Sequence, residues 1–334
     1  VKIEATTLHQ LLRLSPHSPK KPHPLFADLV VVDESSMIDI PLMSALLQSL
    51  KANSQLILLG DPYQLPSIEG GAPFAEFVQH PLLPRVHLTE CKRVESAMLL
   101  SFAAAVGSGK IDTAMQHLKE EQPELVLYPP DLTLLDLLVQ LSHRFPCALD
   151  KEPDPDLIVS AFDTFRILCP LRKGLQGTDF FNAFLQNQLR AKHSPWNIFP
   201  LLITANNHAQ QLFNGEGGVL VEEMTTGMKY ALFPSKIQGS PPRKIPLSLL
   251  PSHEIAYCLS IHKSQGSEFE EVCLLLPEKG ENITKECMYT AITRAKKKLS
   301  LFDPNGCLKS LLISSETQFS SLQYRLCQTY TAQS

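Results

Sequence analysis

Leu29-Val30-Val31-Val32 runs straight into Asp33-Glu34, four apolar residues followed by two carboxylates. Such a run predicts a buried strand of a parallel sheet that ends at a charged edge, where ligands of open α/β sheets sit. An acid pair there suits a nucleotide. Asp33 would hold a magnesium ion through its water shell, and Glu34 would orient and deprotonate a water attacking a γ-phosphate. Two acids on a solvated strand end would read the same way, so the pair gains force from its surroundings. A second apolar run, Gln55-Leu56-Ile57-Leu58-Leu59, leads into Gly60-Asp61-Pro62-Tyr63-Gln64. The amide of Gln64 both donates and accepts, so it could bridge a phosphate oxygen or an attacking water to a neighbouring group. Near the end of the chain, Ser260-Ile261-His262-Lys263-Ser264-Gln265-Gly266-Ser267-Glu268 gathers a cation, hydroxyls, an amide and a carboxylate in one loop.

The elements around these residues alternate. Thr7 precedes an apolar helix face at Leu8, Leu11 and Leu12, a helix is expected over roughly 40–51 with Pro41 in its first turn, and apolar strands flank it. Strand, helix, strand, each strand ending in Asp, is a βαβ unit. Residues 85–93 form a small basic cluster, and 117–157 read as a helix among loops, with Asp154-Pro155-Asp156 as a linker tip. Strands are expected at 166–169, 201–204, 256–260 and 272–276, and a long amphipathic helix at 178–191. Residues 205–255 have hairpin chemistry, a small β insertion. The stretch from Tyr289 to Lys298 reads as a helix with a basic end, leading into a strand at 299–302. Gly107-Ser108-Gly109-Lys110 is not a phosphate loop: position 104 is Ala where a leading glycine is required, and Ile111 replaces the Ser or Thr. It reads as a helix C-terminus.

At 334 residues, 44% hydrophobic and 19% charged, the chain is long enough for two or three globular domains. No apolar run reaches the length of a membrane span, and no signal peptide opens the chain. Eight scattered cysteines, without a C-x-x-C pair, argue against structural zinc and a disulfide framework and for a reducing, cytoplasmic setting. A net charge of −4 confines any nucleic-acid site to a local patch. The first residue, Val1, suggests a fragment.

In order and spacing, these motifs resemble superfamily 1 DNA helicases of the RecD type, the family of the exodeoxyribonuclease V α subunit. The resemblance rests on Val32-Asp33-Glu34-Ser35-Ser36-Met37, Gly60-Asp61-x-x-Gln64-Leu65-Pro66-Ser67, His262-Lys263-Ser264-Gln265-Gly266-Ser267-Glu268-Phe269 and Tyr289-Thr290-Ala291-x-Thr293-Arg294-Ala295. Shorter matches at Thr7-Leu8-His9-x-Leu11-Leu12, Cys169-x-Leu171-Arg172-x-Gly174 and Leu212-Phe213-Asn214-Gly215 extend it along the chain.

The resemblance implies an α/β protein with two RecA-like parallel-sheet domains, residues 1–88 (incomplete at its start) and 89–334, the second carrying an SH3-like barrel at 205–255. It implies ATP and magnesium as cofactors, with Asp33 and Glu34 as the Walker B pair, Asp61 among the nucleotide-binding residues and Gln64 as the γ-phosphate sensor. Arg93 and Arg294 would be arginine fingers, and Glu268 would meet the ribose. Thr7, His9, Ser67, Ser260, His262 and Lys263 would line a single-strand path. The activity implied is 5′→3′ unwinding at DNA ends in double-strand-break repair and recombination, with the β and γ subunits of exodeoxyribonuclease V as partners. The family's first motif, the P-loop, normally lies upstream of Thr7 and is absent here. The reading is therefore the C-terminal portion of such a helicase. A stand-alone RecD-like helicase and an ATPase-dead module that keeps DNA or partner contacts are the alternatives.

Overall fold

The computed structural model describes residues 5–14, 22–67, 71–88, 90–91, 94–120, 122–146, 148–149, 151–190, 194–237, 239–278 and 283–313. They form two compact units, one ending at Glu90 and one beginning at Cys91.

The first unit contains α1 (Leu8–Leu11), β1 (Leu29–Val32), α2 (Ile40–Ser49), β2 (Gln55–Leu58) and α3 (Pro73–Gln79). β1 and β2 pair in parallel, from Leu29 opposite Gln55 to Val32 opposite Leu58, as the βαβ reading requires. Asp39 caps α2 by accepting from Leu42 N at 2.7 Å, and Pro41 fits the first turn because its missing N–H has no intrahelical partner to lose. Met43 and Leu46 of α2 pack with Val30, Val32, Leu12, Leu25 and Ile38 in one cluster. The expectation of a strand buried on both faces fails for β1. Successive side chains point to opposite faces, and while Val30 and Val32 enter the cluster, Leu29 and Val31 are 49% and 54% exposed.

The second unit begins with α4 (Ala97–Gly107), α5 (Ile111–Lys119), β3 (Leu125–Leu127), α6 (Leu134–Ser142), β4 (Ala148–Leu149), α7 (Pro155–Thr164), β5 (Phe165–Cys169) and α8 (Thr178–Leu189). Then come β6 (Trp196–Ile203), β7 (Gly217–Glu223), β8 (Lys229–Phe233), β9 (Arg243–Pro246), β10 (His253–Ile255) and β11 (Cys258–Ser260). β12 (Phe269–Leu275), α9 (Lys285–Ile292), β13 (Ala295–Phe302) and α10 (Cys307–Ile313) complete it. Five strands form a parallel sheet in the order β11-β5-β12-β13-β3. All five residues of β5 are buried, and fully burying a side chain such as Ile167 or Leu168 contributes about 1.5–3 kcal/mol. Gly107 and Ser108 end α4, and Ser108 N donates back to Ala104 O at 3.0 Å, so this is the helix terminus the spacing indicated.

Three expectations are corrected here. Lys296, Lys297 and Lys298 belong to β13 and not to a helix end; α9 stops at Ile292. Backbone pairing with β12 on one side and β3 on the other makes this stretch a strand, and two of its lysines meet acids there, Lys296 Nζ at 3.3 Å from Glu268 and Lys297 Nζ at 3.3 Å from Glu270. Asp154-Pro155-Asp156 is not a linker tip but the start of α7, with the Asp154 carboxylate accepting from Asp156 N and Leu157 N. The strand at 201–204 is the end of β6, which leaves the parallel sheet and pairs antiparallel with β7 and β10. The β insertion therefore starts before residue 205. Its sheet runs β10-β6-β7-β8-β9, with β4 on β6. Among the described residues no pairing joins β9 to β10, so the strand order by itself does not close the sheet into a barrel.

Candidate functional site

In the first unit, the ends of β1 and β2 bring four of the expected residues to one edge. Leu59 N donates to Val32 O and Ser35 N to Leu59 O, each at 2.8 Å, so Asp33-Glu34 and Gly60-Asp61 leave the sheet side by side. Gly60 permits the approach: a methyl there would stand 3.0 Å from the Phe74 ring and 3.1 Å from Ser36 N. Glu34 adopts the left-handed conformation, φ 52° and ψ 40°, which costs a residue with a Cβ roughly 1–2 kcal/mol. Its own N–H is accepted by Asp33 Oδ1 at 2.9 Å, and the Ser35 hydroxyl donates to Val32 O at 3.0 Å. The turn is thus held in a strained form by its neighbours, the pattern found at functional sites.

The Asp61 carboxylate accepts from Tyr63 N at 3.0 Å and from Gln64 Nε2 at 3.3 Å. A carboxylate can only accept, so this contact turns the Gln64 amide oxygen away. That oxygen, and the hydroxyl oxygen of Ser36, are buried without a hydrogen-bond partner in the protein. Orphaned buried polar atoms are rare in native folds. Here the two lie on the neighbouring loops after β1 and β2, the first of which carries the exposed Asp33 carboxylate, and oxygen atoms of this kind fit a hydrated magnesium ion. Magnesium takes one or two carboxylates and keeps its waters; no group of three or more His, Cys, Asp or Glu side chains that could cage a metal ion occurs among the described residues.

Of the residues expected on a strand path in this unit, Thr7 caps α1, accepting from Gln10 N at 3.4 Å, His9 is exposed and Ser67 half-buried. Arg93 lies outside the described residues.

In the second unit the expected residues divide between opposite edges of the parallel sheet. Ser260 ends β11, and His262 and Lys263 follow in a tight turn at the carboxyl edge. The Ser260 hydroxyl accepts from Lys263 N at 3.4 Å, and Lys263 Nζ donates to Glu254 Oε1 at 2.6 Å. Burial pushes the His262 imidazole below its ordinary pKa of 6.5, so it is neutral at pH 7. Glu268 and Arg294 instead precede β12 and β13, at the amino edge. Glu268 is held by Lys296. Arg294 is buried, with Nε on Thr290 O at 3.1 Å, one Nη on Ser267 O at 3.0 Å and the other on the Thr293 hydroxyl at 3.3 Å. Its charge lies at the C-terminus of α9, where the helix dipole favours a cation.

Sequence reasoning missed Asn182. On α8, its amide donates to Cys258 O at 2.9 Å and accepts from Cys258 N at 2.8 Å. It thereby supplies the missing neighbour for edge strand β11, which carries Ser260. An Asn facing the strand's edge leaves no periodic signal.

Residues 1–123 match the AAA domain family, and residues 255–302 match the UvrD-like helicase C-terminal domain family. The RecBCD enzyme subunit RecD of Mycolicibacterium smegmatis is 29% identical over 97% of this chain and 59% of its own length. The chain matches the RecD subunits. The ATP-dependent RecD2 DNA helicase of Deinococcus radiodurans is 25% identical over 87% of this RecD-like chain, which spans 39% of that protein. The chain thus spans less than two thirds of the length of these relatives. A crystal structure of Pif1 helicase from Bacteroides, with ADP-AlF3 and single-stranded DNA, superposes with a TM-score of 0.51 at 14% identity, over 97% of this chain and 83% of that one. Its likeness concerns the fold: the RecD-like chain shares the α/β architecture of such helicases.

Proposed function

We propose that this chain is the RecD-type motor of an ATP-driven 5′→3′ DNA helicase acting at DNA ends. The observation that carries the reading is the strained Glu34 beside Asp33, on strand ends shared with Asp61 and Gln64 and with two buried acceptors left unpaired. When bound, magnesium-ATP supplies a γ-phosphoryl group whose transfer to water releases the free energy for movement. Asp33 holds the hydrated cation. Glu34 takes a proton from the attacking water, and Gln64, its amide nitrogen on Asp61, offers that water an acceptor oxygen. Arg294 and Arg93 stabilise charge developing on the phosphate oxygens, and Glu268 contacts the ribose. Arg294 must exchange bonds to carbonyl oxygens for bonds to phosphate, a gain for a guanidinium because its acceptors become charged.

The strand path uses Thr7, His9, Ser67, Ser260, His262 and Lys263, with hydroxyl and cationic groups on backbone phosphates. The relatives named as RecBCD subunits support work beside the β and γ subunits of exodeoxyribonuclease V, in double-strand-break repair and recombination. No helix among the described residues is long and apolar enough to cross a membrane, which accords with a place in the cytoplasm.

DNA-stimulated ATP hydrolysis tests the reading, measured on this chain alone and joined to any coding sequence preceding Val1. Strand-dependent turnover is expected in the extended form only; its absence from both would leave an assembly module without a motor.

A further inference from the structure

Where α8, β10 and the turn after β11 meet there is a cleft of about 210 Å³, lined by Arg172, Asp179, Asn182, Glu254, Ser260 and Lys263. Both of its cations already have a carboxylate. Lys263 Nζ bonds Glu254 Oε1 at 2.6 Å, and Arg172 Nε lies 3.9 Å from Asp179 Oδ1. The first pair spans two sheets. Glu254 is on β10, hydrogen-bonded to β6 of the antiparallel sheet, and Lys263 follows β11 of the parallel sheet. Neither side chain is deeply buried, at 32% and 31% exposed.

We infer that Glu254 is an internal competitor for the backbone phosphate that Lys263 binds. The inference rests on the reading of Lys263 as a strand contact. A carboxylate and a phosphodiester offer the same ammonium the same kind of anionic oxygen, and the two cannot both occupy its best position. Partly exposed ion pairs are weak enough to yield to a ligand, so Glu254 does not block the path. It lowers affinity and takes Lys263 back when the phosphate leaves, favouring release over retention. The Glu254 carboxylate freed beside the strand attracts a salt cation in its turn, which offsets part of the counterion release from the phosphates and reduces the salt dependence of binding.

The test is binding of a fluorescent oligo-dT strand to the chain across a salt series. The variants are Glu254→Gln, Glu254→Ala, Lys263→Ala and Glu254→Gln with Lys263→Ala. Both Glu254 variants are expected to tighten binding by about two- to fivefold and to steepen the salt slope by up to about one. Lys263→Ala is expected to weaken binding, and adding Glu254→Gln to it to gain nothing. If Lys263→Ala weakens binding and the Glu254 variants leave it unchanged or weaker, the competitor role is overturned and the strand path stands. If Glu254→Gln tightens binding equally without Lys263, Glu254 acts through its general field and the pairing is overturned. If Lys263→Ala changes nothing, or no variant binds a strand, the strand-path reading fails and takes this inference with it.

Discussion

Gln64 gives its amide nitrogen to the Asp61 carboxylate at 3.3 Å, which leaves the amide oxygen, buried and unpartnered, as the end free to accept. Asp61 thus sets which end of Gln64 meets the reaction. Asp61→Ala is expected to lower ATP turnover about 10²-fold, the cost of a misplaced positioning group, with nucleotide affinity little changed. Gln64→Ala should cost as much, and the double variant no more than either, because the two act as one unit. Steady-state turnover and nucleotide titration of the three variants measure this; additive losses would separate the residues.

Glu34 combines a chemical role with a backbone penalty, and the two can be dissected. Glu34→Gln should keep nucleotide binding and reduce turnover by about 10²–10⁴-fold, the range for a lost general base. Glu34→Gly should abolish turnover too, yet be no less stable than the parent and gain up to about 1 kcal/mol, since glycine accepts φ 52° freely. Denaturant unfolding beside turnover checks both; normal turnover in Glu34→Gln would refute the base assignment.

Arg294 is a structural donor as well as a candidate finger. Removing it takes the side-chain donor from Ser267 O, at about 1–3 kcal/mol if that carbonyl stays buried, while Thr290 O keeps the Thr293 hydroxyl at 3.0 Å. Arg294→Ala should therefore lower stability and also cut turnover by about 10³-fold or more, while strand affinity stays within about twofold. An equal loss of strand affinity would place Arg294 on the strand path.

His262 predicts a pH dependence. Its folded pKa is depressed below 6.5 by burial, so on acidification the unfolded chain takes the proton first. Its contribution to stability is then complete above the unfolded pKa and is lost as pH falls through 6.5 toward the folded value. Unfolding curves between pH 5 and pH 8 should show this loss, and His262→Gln should flatten it.

Asn182 supports the strand path from behind. Asn182→Leu leaves Cys258 N and Cys258 O unpaired and should cost about 2–4 kcal/mol. Asn182→Asp, which keeps the acceptor and loses the donor, should fall between. Thermal melts of the two variants rank them; equal stability with the parent would mean that solvent satisfies the β11 edge.

The parallel strands were legible where apolar runs met polar loops, because burial leaves a compositional trace. Ile167, Leu168 and Cys169 of β5 are such a run, and the acids after β1 and β2 marked a site edge for the same reason. Composition fails where tertiary partners override it. Lys296-Lys297-Lys298 reads as a solvated helix end until Glu268 and Glu270 stand opposite it. Asp154-Pro155 had the chemistry of a helix start but was masked by turn-forming composition. β6 is apolar enough for either sheet, and only its antiparallel pairing with β7 decides between them. Glu254 and Asn182 carry no motif. Their significance arises from neighbours far away in sequence, Lys263 apart.

One short segment, residues 261–268, leads from Ser260 at the carboxyl edge of the parallel sheet to Glu268 at its amino edge. Such a segment works as a tie rod of fixed length. Loops elsewhere can grow at little entropic expense, but one residue added to this connection would let either end shift without the other. Among homologous chains, length variation should therefore collect in the β insertion and be excluded from this connection, even where its side chains change.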